Sequence, residues 1–125
     1  MTVIVNALVP RQQLPGLDHQ TLANMDSGLQ HLSMWRQTVA AGAATPPHRH
    51  DCEEIVLIQS GSGELHLDGK VTPFGPDSTL VIPRNADHQI INTGSVEMNV
   101  VAAFAGTGFA VQFPDGQPIP LPWRT

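Results

Sequence analysis

Apolar and polar positions alternate along this chain in short segments, and turn residues interrupt them before any helical period can build up. Leu65 and Leu67 alternate with Glu64, His66 and Asp68, the period-two pattern of a strand with one wet face. Segments rich in Val, Ile, Leu, Thr and Phe predict strands near Val3–Val9, Leu32–Ala41, Ile55–Ser60, Gly63–Asp68, Thr79–Pro83, Gln89–Asn92, Met98–Ala105 and Phe109–Phe113. Ile55–Ile58 is apolar at every position, which predicts a central strand buried on both faces. Leu67-Asp68-Gly69-Lys70-Val71 predicts a hairpin, its Asp-Gly pair favouring a type I′ turn. Outside a turn near Gln20–Met25, nothing sustains helical periodicity. The pattern is that of one all-β domain, a small antiparallel barrel or sandwich.

The end of the chain reads differently. Pro114-Asp115-Gly116 makes a turn, and Pro118-Ile119-Pro120-Leu121-Pro122-Trp123 follows shortly after. Three prolines withhold ladder donors, so 114–125 is expected as an extended tail over the barrel or a neighbouring subunit. Trp123 would be its apolar anchor.

Composition narrows the function. At 125 residues the chain is one domain, 1–125. Its formal charge is −5, and the six basic residues are scattered. That excludes a basic patch for nucleic acid or an anionic membrane, and it argues against a phosphorylated substrate. One cysteine, Cys52, excludes an intrachain disulfide framework and fits a reducing compartment. The apolar run Val3–Val9 is broken by Asn6 and ends at Pro10-Arg11, too short for a membrane span and unlike a signal peptide. A cytoplasmic location is therefore expected. With no tyrosine, Cys52 cannot enter a Cys–Tyr crosslink and no phenol serves as a general acid.

The chemistry is concentrated in two clusters. The first runs Gly42, five residues, His48-Arg49-His50, three residues, Glu54, six residues, Gly61. The second runs Pro83-Arg84-Asn85, two residues, His88, three residues, Asn92. His-x-His on a strand puts both imidazoles on one face, and Glu54 lies an even step further on. His88 must come from a separate strand folded back across them. Three imidazoles and a carboxylate suit a divalent Fe, Mn, Ni, Cu or Zn ion. His66 sits on a wet face as a surface residue, and no motif includes His19 or His31.

These clusters resemble the two signature motifs of the cupin superfamily. Every fixed position of the first motif, Gly-x5-His-x-His-x3-Glu-x6-Gly, is matched across 42–61. The second, across 77–92, is matched at Pro83, His88 and Asn92, with Asp77 and Asn85 in place of its two glycines. Asn tolerates a left-handed backbone, so Asn85 preserves the turn. The resemblance implies a double-stranded β-helix, or jelly roll, with His48, His50, Glu54 and His88 holding one metal ion per chain.

Parity places Trp35, Gln37 and Val39 inward on one strand, because an unpaired Arg36 inside a small barrel is costly. Val100, Ala102 and Phe104 share an apolar face on another strand, and Ile58 continues the face of Glu54. Trp35, Gln37, Ile58, Val100 and Phe104 are thus the candidate substrate-binding set, with Glu54 as a candidate general base. The leading expectation is a metal-dependent enzyme performing oxidative cleavage, isomerisation or lyase chemistry on a small oxygenated compound that chelates the ion. The alternative is a non-catalytic metal-containing binding or accessory protein. The apolar first segment and the tail also predict a homodimer, exchange of terminal strands being one way to build it.

Overall fold

The computed structural model describes residues 2–125. Eleven short strands carry the fold: β1 (Gln12–Leu14), β2 (Leu17–Ala23), β3 (Ser33–Val39), β4 (Arg49–His50), β5 (Glu54–Ser60), β6 (Gly63–Leu67), β7 (Lys70–Phe74), β8 (Ser78–Ile82), β9 (His88–Asn92), β10 (Met98–Phe104) and β11 (Val111–Gln112). One sheet has the order β1-β2-β3-β10-β5-β8, a second β7-β6-β9, and β11 pairs with β4. Bridges from Ala44 to Ile91 and from His48 to His88 attach the segment before β4 to β9, extending the second layer. All pairings are antiparallel. The two layers bury Val56, Ile58, Met98 and Phe104 of one against Leu65 and Ile90 of the other. This is an all-β antiparallel jelly roll.

Its turns take the conformations that their residues favour. Asp68 and Gly69 have φ of 48° and 82°, both positive as a type I′ turn demands, and β6 and β7 pair directly across them. Asn85 has φ of 62°, the left-handed backbone expected of it. Gly61 is needed twice over: its φ is +96°, and a Cβ there would lie 2.9 Å from Met98 Cα. Asn92 ties the layers together. Its side-chain amide donates to the carbonyls of Val39, Ala40 and Val96, and its oxygen accepts from Gly94 N–H.

Four expectations need correction. Val3–Val9 is not a strand but extended chain with a 3-10 turn at Asn6–Leu8, and Val3, Val5 and Leu8 are exposed. Its carbonyls at Asn6 and Val9 accept from the Gln20 side chain instead of from a neighbouring strand. The sheet edge belongs to β1 and β2, which the sequence reading missed. The turn placed near Gln20–Met25 overlaps β2, and the 3-10 turn falls at Met25–Ser27, capped by Asn24. Ile55–Ile58 is central but not buried on both faces, since Val56 and Ile58 are enclosed while Ile55 and Leu57 are 53% and 41% exposed. Only Val111–Gln112 of the expected Phe109–Phe113 strand pairs, and Phe109 turns into the core.

The tail folds onto its own barrel. Pro122 and Arg124 carbonyls accept from the side chains of Gln12 and Asn24, and the Thr125 carbonyl accepts from Gly108 N–H. Trp123 joins the core. Among the described residues no helix is long and apolar enough to cross a membrane.

Candidate metal centre

Backbone pairing assembles the histidine cluster. His48 and His88 face each other across an antiparallel bridge, each N–H donating to the other's carbonyl at 2.9 and 2.8 Å. Such a pair projects both side chains to one face. His50 is one even step along from His48, and its carbonyl accepts from Asn85 N–H at 2.8 Å. The left-handed turn at Asn85 thereby locks the second cluster onto the first. Glu54 opens β5, and its carboxylate reaches the same point. Arg49, between the two histidines, points away and donates to the Pro114 carbonyl.

Backbone carbonyls also set the imidazole tautomers. His48 Nδ1 donates to Pro46 O at 2.6 Å and His88 Nδ1 to Ala86 O at 2.9 Å. A carbonyl can only accept, so both Nδ1 atoms carry the proton and both Nε2 lone pairs are bare. One ring nitrogen from each of His48, His50 and His88 falls within a cluster no wider than 4.8 Å. Glu54 Oε1 lies 3.3 Å from His50 Nε2 and 3.4 Å from His88 Nε2. Two donors bound about 2.1 Å from one ion at tetrahedral or octahedral angles would be separated by about 3.0–3.4 Å. His50 Nε2, His88 Nε2 and Glu54 Oε1 are buried without a hydrogen-bond partner. Leaving such atoms unmatched costs about 1–3 kcal/mol each, and a cation at their centre would satisfy all of them. The donor set fits a divalent transition ion.

The electrostatics favour a neutral His48 and an ionised Glu54. Burial, reinforced by His88 and His50, lowers the His48 pKa to about 3. Burial alone would raise that of Glu54, but without a metal ion hydrogen bonds and positive charge from His50 and His88, which those rings supply only when protonated, outweigh burial and lower it to about 2. Neutral nitrogens and a charged oxygen are the protonation states that bind metal.

The cluster lines a cavity of about 50 Å³. One water needs roughly 10–15 Å³ on this scale, so there is room for a few waters or a small ligand group. Trp35, Gln37 and Val100 line it. Ile58 and Phe104 do not: both are wholly enclosed in the core, with Phe104 packed against Trp35 and His50. The sequence reading left out the walls supplied by Leu14 and Leu17 at one edge and by Ile119, Leu121 and Trp123 of the tail. Only the apolar character of the proline-rich tail hinted at this role. His66 pairs with Glu64 at the surface. Cys52 is buried beside Gly106, outside the histidine cluster, and burial raises its thiol to about 11.

His19, which no motif includes, packs against the tail. It is fully buried and stacks on Trp123, with ring centroids 3.6 Å apart and planes within 8°. Burial, partly offset by Asp18, lowers its pKa to about 3.

A family model described as a cupin domain matches residues 35–104. Over 97 residues the chain is 40% identical to Auxin-binding protein 1 of Arabidopsis thaliana, a match covering 70% of this chain and 49% of that protein. Protein SchB of Streptomyces halstedii is 32% identical over 82 residues, covering 65% of this chain and 56% of that protein. The chain thus spans about half the length of the curated relatives it matches. Among solved structures, the polyketide cyclase RemF from Streptomyces resistomycificus superposes with a TM-score of 0.72 at 21% identity, covering 83% of this chain and 78% of that one. At that identity the likeness is one of fold.

Proposed function

We propose, because the chain belongs to the cupin family, that it holds one divalent transition ion between His48, His50, Glu54 and His88 and captures a small, largely apolar organic molecule there by an oxygen donor. The observation that carries this is the group of buried, unpartnered ligand atoms lining a largely apolar cavity. Fe, Mn, Ni, Cu and Zn all suit the donor set, and when bound the ion supplies a Lewis acid to a carboxylate, enol or carbonyl oxygen. The chain itself supplies shape and exclusion of water. Trp35, Val100, Leu121 and Trp123 surround the ligand body, and Gln37 offers a hydrogen bond.

Capture without turnover ranks ahead of catalysis on one feature of the cavity. Every titratable group lining it belongs to the ligand set, and the Thr45 hydroxyl is engaged by Ile90 N–H. A proton-transferring reaction would have to use Glu54, which this reading already commits to the ion. The names of the auxin-binding relatives point the same way. Catalysis is the second reading, because four protein donors leave one or two positions open on an ion that prefers five or six. Oxidative cleavage or isomerisation of a diketone, enediol or keto acid would then be the reaction class.

Metal analysis of protein from its native host tests the premise, and less than one equivalent bound would count against it. Calorimetry and oxygen uptake with carboxylates, diketones and flavonols then separate the readings. Heat of binding without product supports capture, and oxygen consumption or product supports the enzyme. A homodimer belongs to the same proposal, through a surface other than the termini. Leu32, Met34, Ile55, Leu57 and Val81 are exposed on the outer side of the six-stranded sheet and its approach, an apolar face that a second copy would cover. Light scattering decides between the monomer's 13.4 kDa and twice that mass.

A further inference from the structure

We propose that His19 is a positioning residue. It fixes the hydrogen-bonding sense of the Gln37 side chain, so that the cavity presents an accepting carbonyl and selects ligands with an N–H or O–H donor remote from the metal-binding oxygen. The inference rests on the capture reading for its ligand and on the geometry of β2 and β3 for its mechanism. His19 and Gln37 are direct cross-strand partners. Gln37 Nε2 donates to His19 Nδ1 at 2.9 Å, and His19 Nε2 lies 2.8 Å from Thr21 Oγ1.

An amide nitrogen can only donate, so Nδ1 is bare and the single proton of the neutral ring sits on Nε2, donating to the threonine. Both imidazole nitrogens are then engaged. Stacking on Trp123 and edge contact with Trp35, at 4.9 Å between centroids, keep the ring from turning. Gln37 lines the cavity, and with one of its N–H bonds committed to His19 its Oε1 is the accepting atom it can turn to a ligand. A carbonyl facing an apolar cavity rewards a donor on the ligand and penalises an acceptor, since an unmatched buried oxygen is costly. Lowering of the His19 pKa by burial keeps the ring neutral, as the arrangement needs.

Two measurements test this. Long-range proton–nitrogen NMR on histidine-labelled protein reads the tautomer directly. The expected spectrum shows His19 neutral and protonated at Nε2 at pH 7, and protonation at Nδ1 overturns the proposal. Calorimetry on zinc-loaded protein then compares pyrrole-3-carboxylate with thiophene-3-carboxylate, a matched pair that differs in one ring N–H. The pyrrole acid should bind about tenfold more tightly, the worth of one hydrogen bond in a closed site. In His19→Phe, which keeps the stack on Trp123 but frees the amide, the ratio should collapse toward one while zinc content and thiophene-acid affinity hold. Thr21→Val removes the other partner and carries the same expectation should the first variant fold poorly. An unchanged ratio in both variants overturns the proposal. Binding of neither acid sinks the capture reading and with it the ligand class, while the tautomer still decides how His19 holds Gln37.

Discussion

Acidification should destabilise this protein through His19 by an amount that can be isolated. The ring's pKa is 6.5 unperturbed and about 3 in the fold. The unfolded chain therefore binds a proton between these values that the folded protein refuses, and stability falls as pH drops below 6.5 but is flat above it. At pH 5.5, one unit below the unfolded value and well above the folded one, the loss from this residue is about 1.4 kcal/mol. His48 titrates with the same sign, so the wild-type curve alone would not separate the two. Urea denaturation of wild type and His19→Phe at pH 7.5 and 5.5, both with chelator, does so, because every other group cancels in the difference. Wild type should lose about 1.4 kcal/mol more than the variant over that interval. Equal losses, within about 0.3 kcal/mol, would mean that His19 can be protonated in place and is not sealed as described.

Replacing His48 and His50 together by Ala should abolish stoichiometric metal binding, and full occupancy measured by mass spectrometry would sink the ligand assignment. Chelated wild type should keep its β-type circular dichroism, since Val56, Ile58, Ile82 and Ile90 stay buried without an ion. Metal at a thousandfold above its dissociation constant should add about 4 kcal/mol of stability; a random-coil spectrum for the apo-protein would refute this. Trp123→Ala should cost about 3 kcal/mol in urea denaturation by emptying a core position, and a loss under about 1 kcal/mol would show that the tail is not docked. Asn85→Ala should cost about 1 kcal/mol and Asn85→Gly almost nothing, because only the backbone at φ of 62° is at stake. Thermal melts would expose the reverse order.

The histidines and Glu54 were legible because metal chemistry imposes a spacing that few other demands reproduce. The Asp68-Gly69 hairpin and the turn at Asn85 were legible for a related reason, since each needs a backbone that few residues tolerate. β2 was not. It buries His19 on one face and Gln20 on the other, polar residues made tolerable only by partners elsewhere: Gln37 and Trp123 for the first, the carbonyls of Asn6 and Val9 for the second. Local alternation cannot anticipate such partners. The outer face of β5 misled in the opposite direction. Ile55 and Leu57 look like core by composition, yet nothing within the described residues covers them. The cavity wall from the tail was hidden for a third reason. Ile119 and Leu121 sit between prolines, and their place depends on where the whole barrel leaves an opening.

The reciprocal pair between His48 and His88 has a consequence for metal choice. Two of the donors are pinned by the main chain itself, so their spacing belongs to the sheet and not to the flexibility of side chains. A scaffold of that kind holds its donors ready before any ion arrives, and it gives little when an ion of another radius enters. An ion of clearly different radius would then bind under strain, while among first-row ions of similar radius intrinsic affinity would follow the order common to nitrogen and oxygen donors. Which ion the protein carries would be decided by cellular supply, so the same polypeptide could harbour different ions under different growth conditions without any change in its backbone.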